Sequence, residues 1–448
     1  MVYLLFSKRD LFTIIAPLMI EQLLAVTIGM LDTVMVSSAG EAAISGVSLV
    51  DTVNILLVYL FSALSAGGSV VISQAIGKGD IKAANASAKQ LIWVVFTVAF
   101  LITSVVVIFR KPFLGTIFGS VDADVMKNAL VYFLFTALSY PFLGVYNSCA
   151  AIFRSMGNSK ISMIASIVMN LINFFGNALL IFGFHMGAAG AAIATLFSRI
   201  VGAAYLMFLL RNPDNIISVC NVFNYKPNFL IIKNICRIGI PNGLENGMFQ
   251  FGKVLTQSLI ATFGTAQIAA NAVGSAITTF QYVPGAAIGM ASITIVGRCI
   301  GAQEKQQAKK YALQLVGITY CSIFVISLIS CAFVKPIVGM YSVSAESALI
   351  AIQIIISHSI MASLMHPFAF TLTHSFRAAS DVKYSMVVAI LSMWILRVGL
   401  SYVLAKYFNM GVMSVWLAMY CDWIVRTIFY ATRYFRGTWL TKYKPIEI

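Results

Sequence analysis

The chain has 448 residues, of which 60% are apolar and only 10% charged, with mean hydropathy +0.91 and a formal net charge of +15. That is too little charge to cover the surface of a soluble domain of this length, and basic loops of a membrane protein account for the positive balance better than nucleic-acid binding does. Seven cysteines stand singly with no C-x-x-C pair, which argues against a zinc site or a disulfide framework.

The fold class implied is an all-α polytopic membrane protein. Apolar runs are too long and too even for the alternating strands of a membrane β-barrel. Met1 to Asp10 carries Lys8 and Arg9 but no small-residue cleavage site, so the first apolar run reads as a true span. A span needs about 20 apolar residues. In chain order, spans are expected near 11–36, 46–73, 86–109, 125–152, 161–184 and 187–210, then near 236–262, 271–297, 310–334, 346–374, 384–406 and 410–434. This gives an N-lobe over 1–210, a linker over 211–235, a C-lobe over 236–434 and a tail over 435–448. With the N-terminus placed inside, 22 of the 30 Lys and Arg residues fall on inner segments (Lys444 of the tail among them), 5 on outer ones and 3 within spans. Both termini are therefore expected in the cytoplasm of a multi-pass protein of the plasma (inner) membrane.

The chain also reads twice. Pro17 and Glu21 recur 224 residues later as Pro241 and Glu245. At the same offset Gly40 matches Gly264, Gly77 matches Gly301, and Lys111-Pro112 matches Lys335-Pro336. Later, Phe153-Arg154 and Lys160 match Phe376-Arg377 and Lys383 at 223, and Gly187 matches Gly411 at 224 again. An even number of spans per half makes this a parallel repeat about a pseudo-two-fold axis along the membrane normal, with a cavity expected between the halves.

Polar groups inside spans are costly and are functional candidates. On the first span, Glu21 and Asp32 lie eleven residues apart and share a face. Asn170, Asn173 and Asn177 share a face of the fifth span, and Thr195 on the sixth lies at a similar depth. Asp32, Asn173, Asn177 and Thr195 can thus form an oxygen-rich cluster, able to take a proton on the carboxylate or to hold Na⁺. The alternative is that the asparagines only hydrogen-bond between helices. In the second lobe Thr256 replaces Asp32, so the lobes differ chemically. Glu245, Gln250, Lys253, Asp51 (with Asn54) and Arg397 are further polar candidates, with Lys253 and Arg397 read as counter-charges to acids on other helices, and with an internal ion pair or a snorkelling side chain as the alternative for Lys253, Arg397 and Asp51. His358, His366 and His374 step about 80° apart around the tenth span and suit packing rather than a metal. Pro141, Pro284 and Pro367 would kink their spans. There is no Walker pattern, Gly-rich phosphate loop or Ser-His-Asp set, so energy would come from a gradient, with no cofactor and no enzymatic activity.

These residues resemble the multidrug and toxic compound extrusion (MATE) transporters of bacterial type. The first-span stretch Gly29-Met30-Leu31-Asp32-Thr33-Val34-Met35-Val36 is similar to the family's acid-bearing segment, and Asn173 to Thr195 to its N-x-x-x-D/N…F-G-x-G-x-x-G-A-A-x-A-T pattern. Gly239 to Lys253 and Pro284 to Ala302 are similar to its seventh and eighth spans, so the likeness covers nearly the whole chain. It implies twelve helices in two six-helix lobes, and export of organic, often cationic compounds in exchange for H⁺ or Na⁺, by a monomer. Asp32 matches the family's coupling acid, and Asn173 and Thr195 match positions that help bind the ion. Many members carry an aspartate where this chain has Asn177, which leaves H⁺ and Na⁺ both open. Two rivals are a lipid-linked saccharide flippase of the same superfamily, which would need a cationic cavity, and a membrane-embedded transferase, which would need an aspartate-rich pair for Mg²⁺.

Overall fold

A computed structural model describes residues 5–119, 121–220 and 226–443. Residues 444–448 of the tail, Lys444 among them, and residues 221–225 of the expected linker lie outside the described residues. Every described element is a helix. The chain forms α1 (Lys8–Ser37), α2 (Glu41–Lys78), α3 (Ile81–Phe118), α4 (Ala123–Leu138), α5 (Tyr140–Ser155), α6 (Ser159–Asn177) and α7 (Gly187–Leu210). These are followed by α8 (Phe229–Ala261), α9 (Thr265–Gly301), α10 (Lys305–Ala332), α11 (Val334–Gly339), α12 (Ala345–His366), α13 (Leu372–Ala378), α14 (Val382–Ser392), α15 (Ser401–Phe408) and α16 (Met413–Arg436).

Each expected span falls on a helix or a run of joined helices. Nine are apolar and long enough to cross a membrane alone, and α4 with α5, bent by 43°, makes a tenth. The bend lies beside Pro141, which has no amide proton to give the helix ladder. The other two, α8 and α16, are 33 and 24 residues long. Polar side chains lower their hydropathy, among them Glu245 and Lys253 on α8 and Asp422 and Arg426 on α16. Large apolar side chains such as Phe12, Phe100, Ile108 and Phe208 lie exposed, as a lipid-facing surface requires.

Pro17, Pro241 and Pro284 sit inside continuous helices, whereas Pro367 opens a π-helical segment, Pro367–Thr371. Two further π segments, Ala178–Gly183 after α6 and Met393–Leu400 after α14, interrupt the fifth and eleventh spans, which are repeat partners. The repeat also explains its glycines. Gly40 and Gly264 precede α2 and α9 with φ of 103° and 92°, a conformation that side chains other than glycine's rarely adopt.

Two compact units emerge, one spanning Lys8–Gly243 and the other Leu244 onward with residues 5–7. The dividing point lies inside α8. Its first turns belong with α2: a Cβ on Gly67 would meet the Ile235 carbonyl oxygen at 2.6 Å, and Gly239 faces Leu64. Small residues there let two helix backbones approach closely. In the first unit Val36, Val50, Leu114, Phe133 and Ala192 pack a core beside the polar cluster described below. In the second, Ile354, Trp416, Met419 and Trp423 do so.

Candidate functional site

Three elements bring the first-lobe cluster together. Asp32 comes from the last third of α1, Asn173 and Asn177 from one face of α6, and Thr195 from α7. Asn177 Nδ2 donates to Asp32 Oδ1 at 2.9 Å. With the amide oriented to suit its neighbours, Asn173 Nδ2 donates to both carboxylate oxygens at 3.0 Å and its oxygen faces the Thr195 hydroxyl at 3.2 Å. That hydroxyl also lies 2.9 Å from the Ala191 carbonyl, and its single proton can serve only one of the two. Both asparagines are buried, and Asn177 Oδ1 has no partner. Asn170 Nδ2 donates to Ser166 Oγ of its own helix at 3.2 Å.

The cluster opens on a cavity of about 200 Å³ lined by Asp32, Thr33, Ser48, Asp51, Tyr132, Asn177 and Thr195. Asp51 Oδ1 accepts from Asn54 Nδ2 at 3.0 Å and from the Tyr132 hydroxyl at 3.1 Å, and Tyr140 donates to Asn54. Sequence reasoning named Asp51 but not Tyr132 or Ser48, since a lone Tyr or Ser in a span carries no pattern. Among the described residues neither Asp32 nor Asp51 has a cation within 4.0 Å. Arg199 instead donates to Ser139 at 2.6 Å. A carboxylate served by two amide donors is satisfied as an anion. On taking a proton it becomes a donor and needs an acceptor, which rotation of either amide supplies. The spare oxygen of Asn177 and the Thr195 hydroxyl are also ligands that Na⁺ accepts.

The repeated glutamates lie elsewhere. Glu21 pairs with Arg154 at 3.1 Å and accepts from the Ser162 hydroxyl at 2.9 Å. Glu245 pairs with Arg377 at 2.9 Å. Both pairs are largely buried, and the same two repeat positions form each. Arg154 and Arg377 stood in register in the sequence, which was the available signal for this pairing, but both had been assigned to inner loops. Although Glu21 shares a helix with Asp32, it is joined to α5 and α6 and takes no part in the cavity.

In the second lobe Thr256, the counterpart of Asp32, turns its hydroxyl to the Lys253 carbonyl at 3.0 Å. Gln250 is half-buried on α8. Lys253 and Arg397 were expected to meet acids, but neither is in an ion pair among the described residues. The nearby acid Asp422 is held by Arg426 of its own helix at 2.7 Å. His358 lies between Tyr282 and Gln281, at 2.7 Å from each, and His366 stacks on Phe370. No group of three His, Cys, Asp or Glu residues suited to a metal occurs among the described residues.

The MatE family profile matches this chain twice, over residues 17–179 and 241–403. The chain belongs to the MatE family. The two matches stand in the register of the internal repeat. A Bacillus subtilis protein, the "Uncharacterized transporter YisQ", is 26% identical over 439 residues, covering 97% of this chain and 95% of its own. The "Probable multidrug resistance protein NorM" of Thermotoga maritima is 24% identical over 450 residues, covering 96% and 93%. An outward-facing MATE transporter of the MOP superfamily superposes with a TM-score of 0.91 at 20% identity, over 97% of both chains. The fold is thus the twelve-helix MATE fold, and the protein is a multi-pass membrane transporter, not an enzyme.

Proposed function

We propose that this MatE-family protein is a secondary active multidrug exporter. Organic compounds, expected to be cationic, leave the cell against H⁺ or Na⁺ taken up at Asp32. The observation that carries this reading is a carboxylate in the first lobe, free of any cation partner among the described residues, held by two amides on a polar cavity. An ion that binds there in one conformation better than in another shifts the equilibrium between them, which is all that coupling requires. Taking up H⁺ or Na⁺ cancels the Asp32 charge: a proton turns one carboxyl oxygen into a donor that needs an amide oxygen of Asn173 or Asn177, and Na⁺ draws the same amide oxygens as ligands. Helices α1 and α6 are the elements so tied. Asn173, Asn177 and Thr195 position that carboxyl and complete the oxygen set for Na⁺. The names of the relatives support a multidrug cargo. The 20 methionines and 12% aromatic residues suit loosely matched organic compounds. The protein would act as a monomer in the plasma (inner) membrane with both termini in the cytoplasm.

Dye efflux from vesicles carrying the purified protein tests this reading, with a pH gradient and a Na⁺ gradient imposed separately. Efflux driven by one of them is expected, and the effective gradient names the ion. No efflux under either would sink the antiport reading.

A further inference from the structure

The second lobe carries two cations within its described spans that meet no carboxylate. Four ion pairs join carboxylates to arginines among the described residues, and Lys253 and Arg397 are in none of them. The guanidinium of Arg397 lies over the Phe249 ring at 5.1 Å, and its Nε is buried without an acceptor. Phe249 and Lys253 are one turn apart on α8 and share a face. A Cβ on Gly252 would meet Met393 at 2.3 Å, so α8 runs in contact with the π segment that carries Arg397 one turn further on. Arg397, half-buried, and Lys253, exposed, therefore lie along the same α8–π-segment seam. Between Met393 and Arg397 sits Trp394, whose Nε1 is likewise buried with no acceptor. Asp422 Oδ1 accepts from Arg426 Nε at 2.7 Å and its Oδ2 is buried without a partner, so one acid stands against Lys253, Arg397 and Arg426 and the neighbourhood is cationic in net.

Arg397 is eleven residues from the end of α15 at Phe408, about 16 Å along the axis. That places it deep in a hydrocarbon layer about 30 Å thick, below the level of headgroup phosphates. A guanidinium at that depth is costly unless something meets it, and π segments are rare and cluster at functional sites. The geometry points to an anion-accepting site formed by Lys253, Arg397 and Trp394, which takes a carboxylate or phosphate borne by the exported compound. This rests on the exporter reading and narrows its cargo to organic compounds carrying an acidic group, whatever cationic group they also carry.

Full-length protein in phosphatidylcholine nanodiscs, titrated with rhodamine B and with its ethyl ester, tests the site. The two dyes share a ring system, and only rhodamine B has the free carboxylate. Wild type should bind rhodamine B about tenfold more tightly, the scale of a charge-assisted hydrogen bond. Arg397→Gln and Lys253→Gln should each bring the two dyes within about twofold by weakening rhodamine B alone. Arg397→Lys keeps the charge, should retain most of the preference, and controls for folding. Wild type that binds both dyes equally, or neither, overturns the proposal, as does a preference that survives Arg397→Gln. Discs containing phosphatidylglycerol separate the two sources of anion. The preference should survive in them; its loss would assign the site to a lipid headgroup and overturn the cargo assignment. Binding needs no gradient, so a failure of gradient-driven efflux counts against the exporter reading and leaves this site standing.

Discussion

The two lobes share a frame and differ in what they leave unpaired. Each carries a Glu–Arg pair from the same two repeat positions, Glu21–Arg154 and Glu245–Arg377. Each begins its second helix after a glycine of positive φ and interrupts the equivalent later span with a π segment. Beyond that frame they part. Within the spans of the described residues the first lobe keeps Asp32 and Asp51 with no cation within 4.0 Å, and its one such arginine, Arg199, sits on Ser139, while the second keeps Lys253 and Arg397 with no carboxylate within 4.0 Å. Duplication supplied the scaffold. The chemistry lies where the copies have diverged.

Breaking the shared frame should have the largest effect, and a similar one in both lobes. Glu21→Ala or Glu245→Ala removes the carboxylate that Arg154 or Arg377 bonds and should cost about 3–5 kcal/mol. Thermal unfolding in detergent should show a large fall for each single variant and a partial recovery when Arg154→Ala or Arg377→Ala is added. A loss confined to one lobe would break the equivalence. Gly40→Ala and Gly264→Ala should each cost about 1–3 kcal/mol, since backbone strain alone opposes them. Nothing lies within 4 Å of an added Cβ at either position. The same unfolding assay should find the two losses alike.

Smaller effects sharpen the difference between the lobes. Asn177→Leu removes a donor to Asp32 worth about 1.5 kcal/mol, and should slow gradient-driven efflux by about tenfold with little change in folding. Unchanged efflux would reduce the asparagines to helix glue. The smallest expected effect is none: Thr256→Asp added to Asp32→Asn should not restore coupling. At the 224-residue offset the eleventh span offers Trp394, Arg397 and Ser401 where the fifth offers Asn170, Asn173 and Asn177, so an acid placed there meets no amide pair. Restored coupling would mean that the lobes are interchangeable.

Much of this was legible in the sequence. Apolar runs set the helices, and the 224-residue register set the halves. The spacing of Asn173 and Asn177, with the depth of Asp32 and Thr195, brought four residues together before any coordinates. The partners of isolated polar residues were not legible. Arg154 and Arg377 read as loop cations, because register shows that positions correspond and not that they touch. Tyr132 carries no periodic signal, and its bond to Asp51 comes only from the packing of α4 against α2. Lys253 and Arg397 were expected to find acids, yet the one acid on the neighbouring helix is held by Arg426, four residues along the same turn. The π segments were also hidden, since no residue type in them announces the extra residue per turn.

The coupling claim rests on Asp32, and one measurement addresses it directly. Purified wild type and Asp32→Asn are compared in proteoliposomes for dye movement under an imposed pH or Na⁺ gradient, with dye binding measured on the same preparations. The account predicts that Asp32→Asn still binds dye but no longer responds to the gradient that drives wild type. Undiminished gradient-driven movement in Asp32→Asn would contradict it.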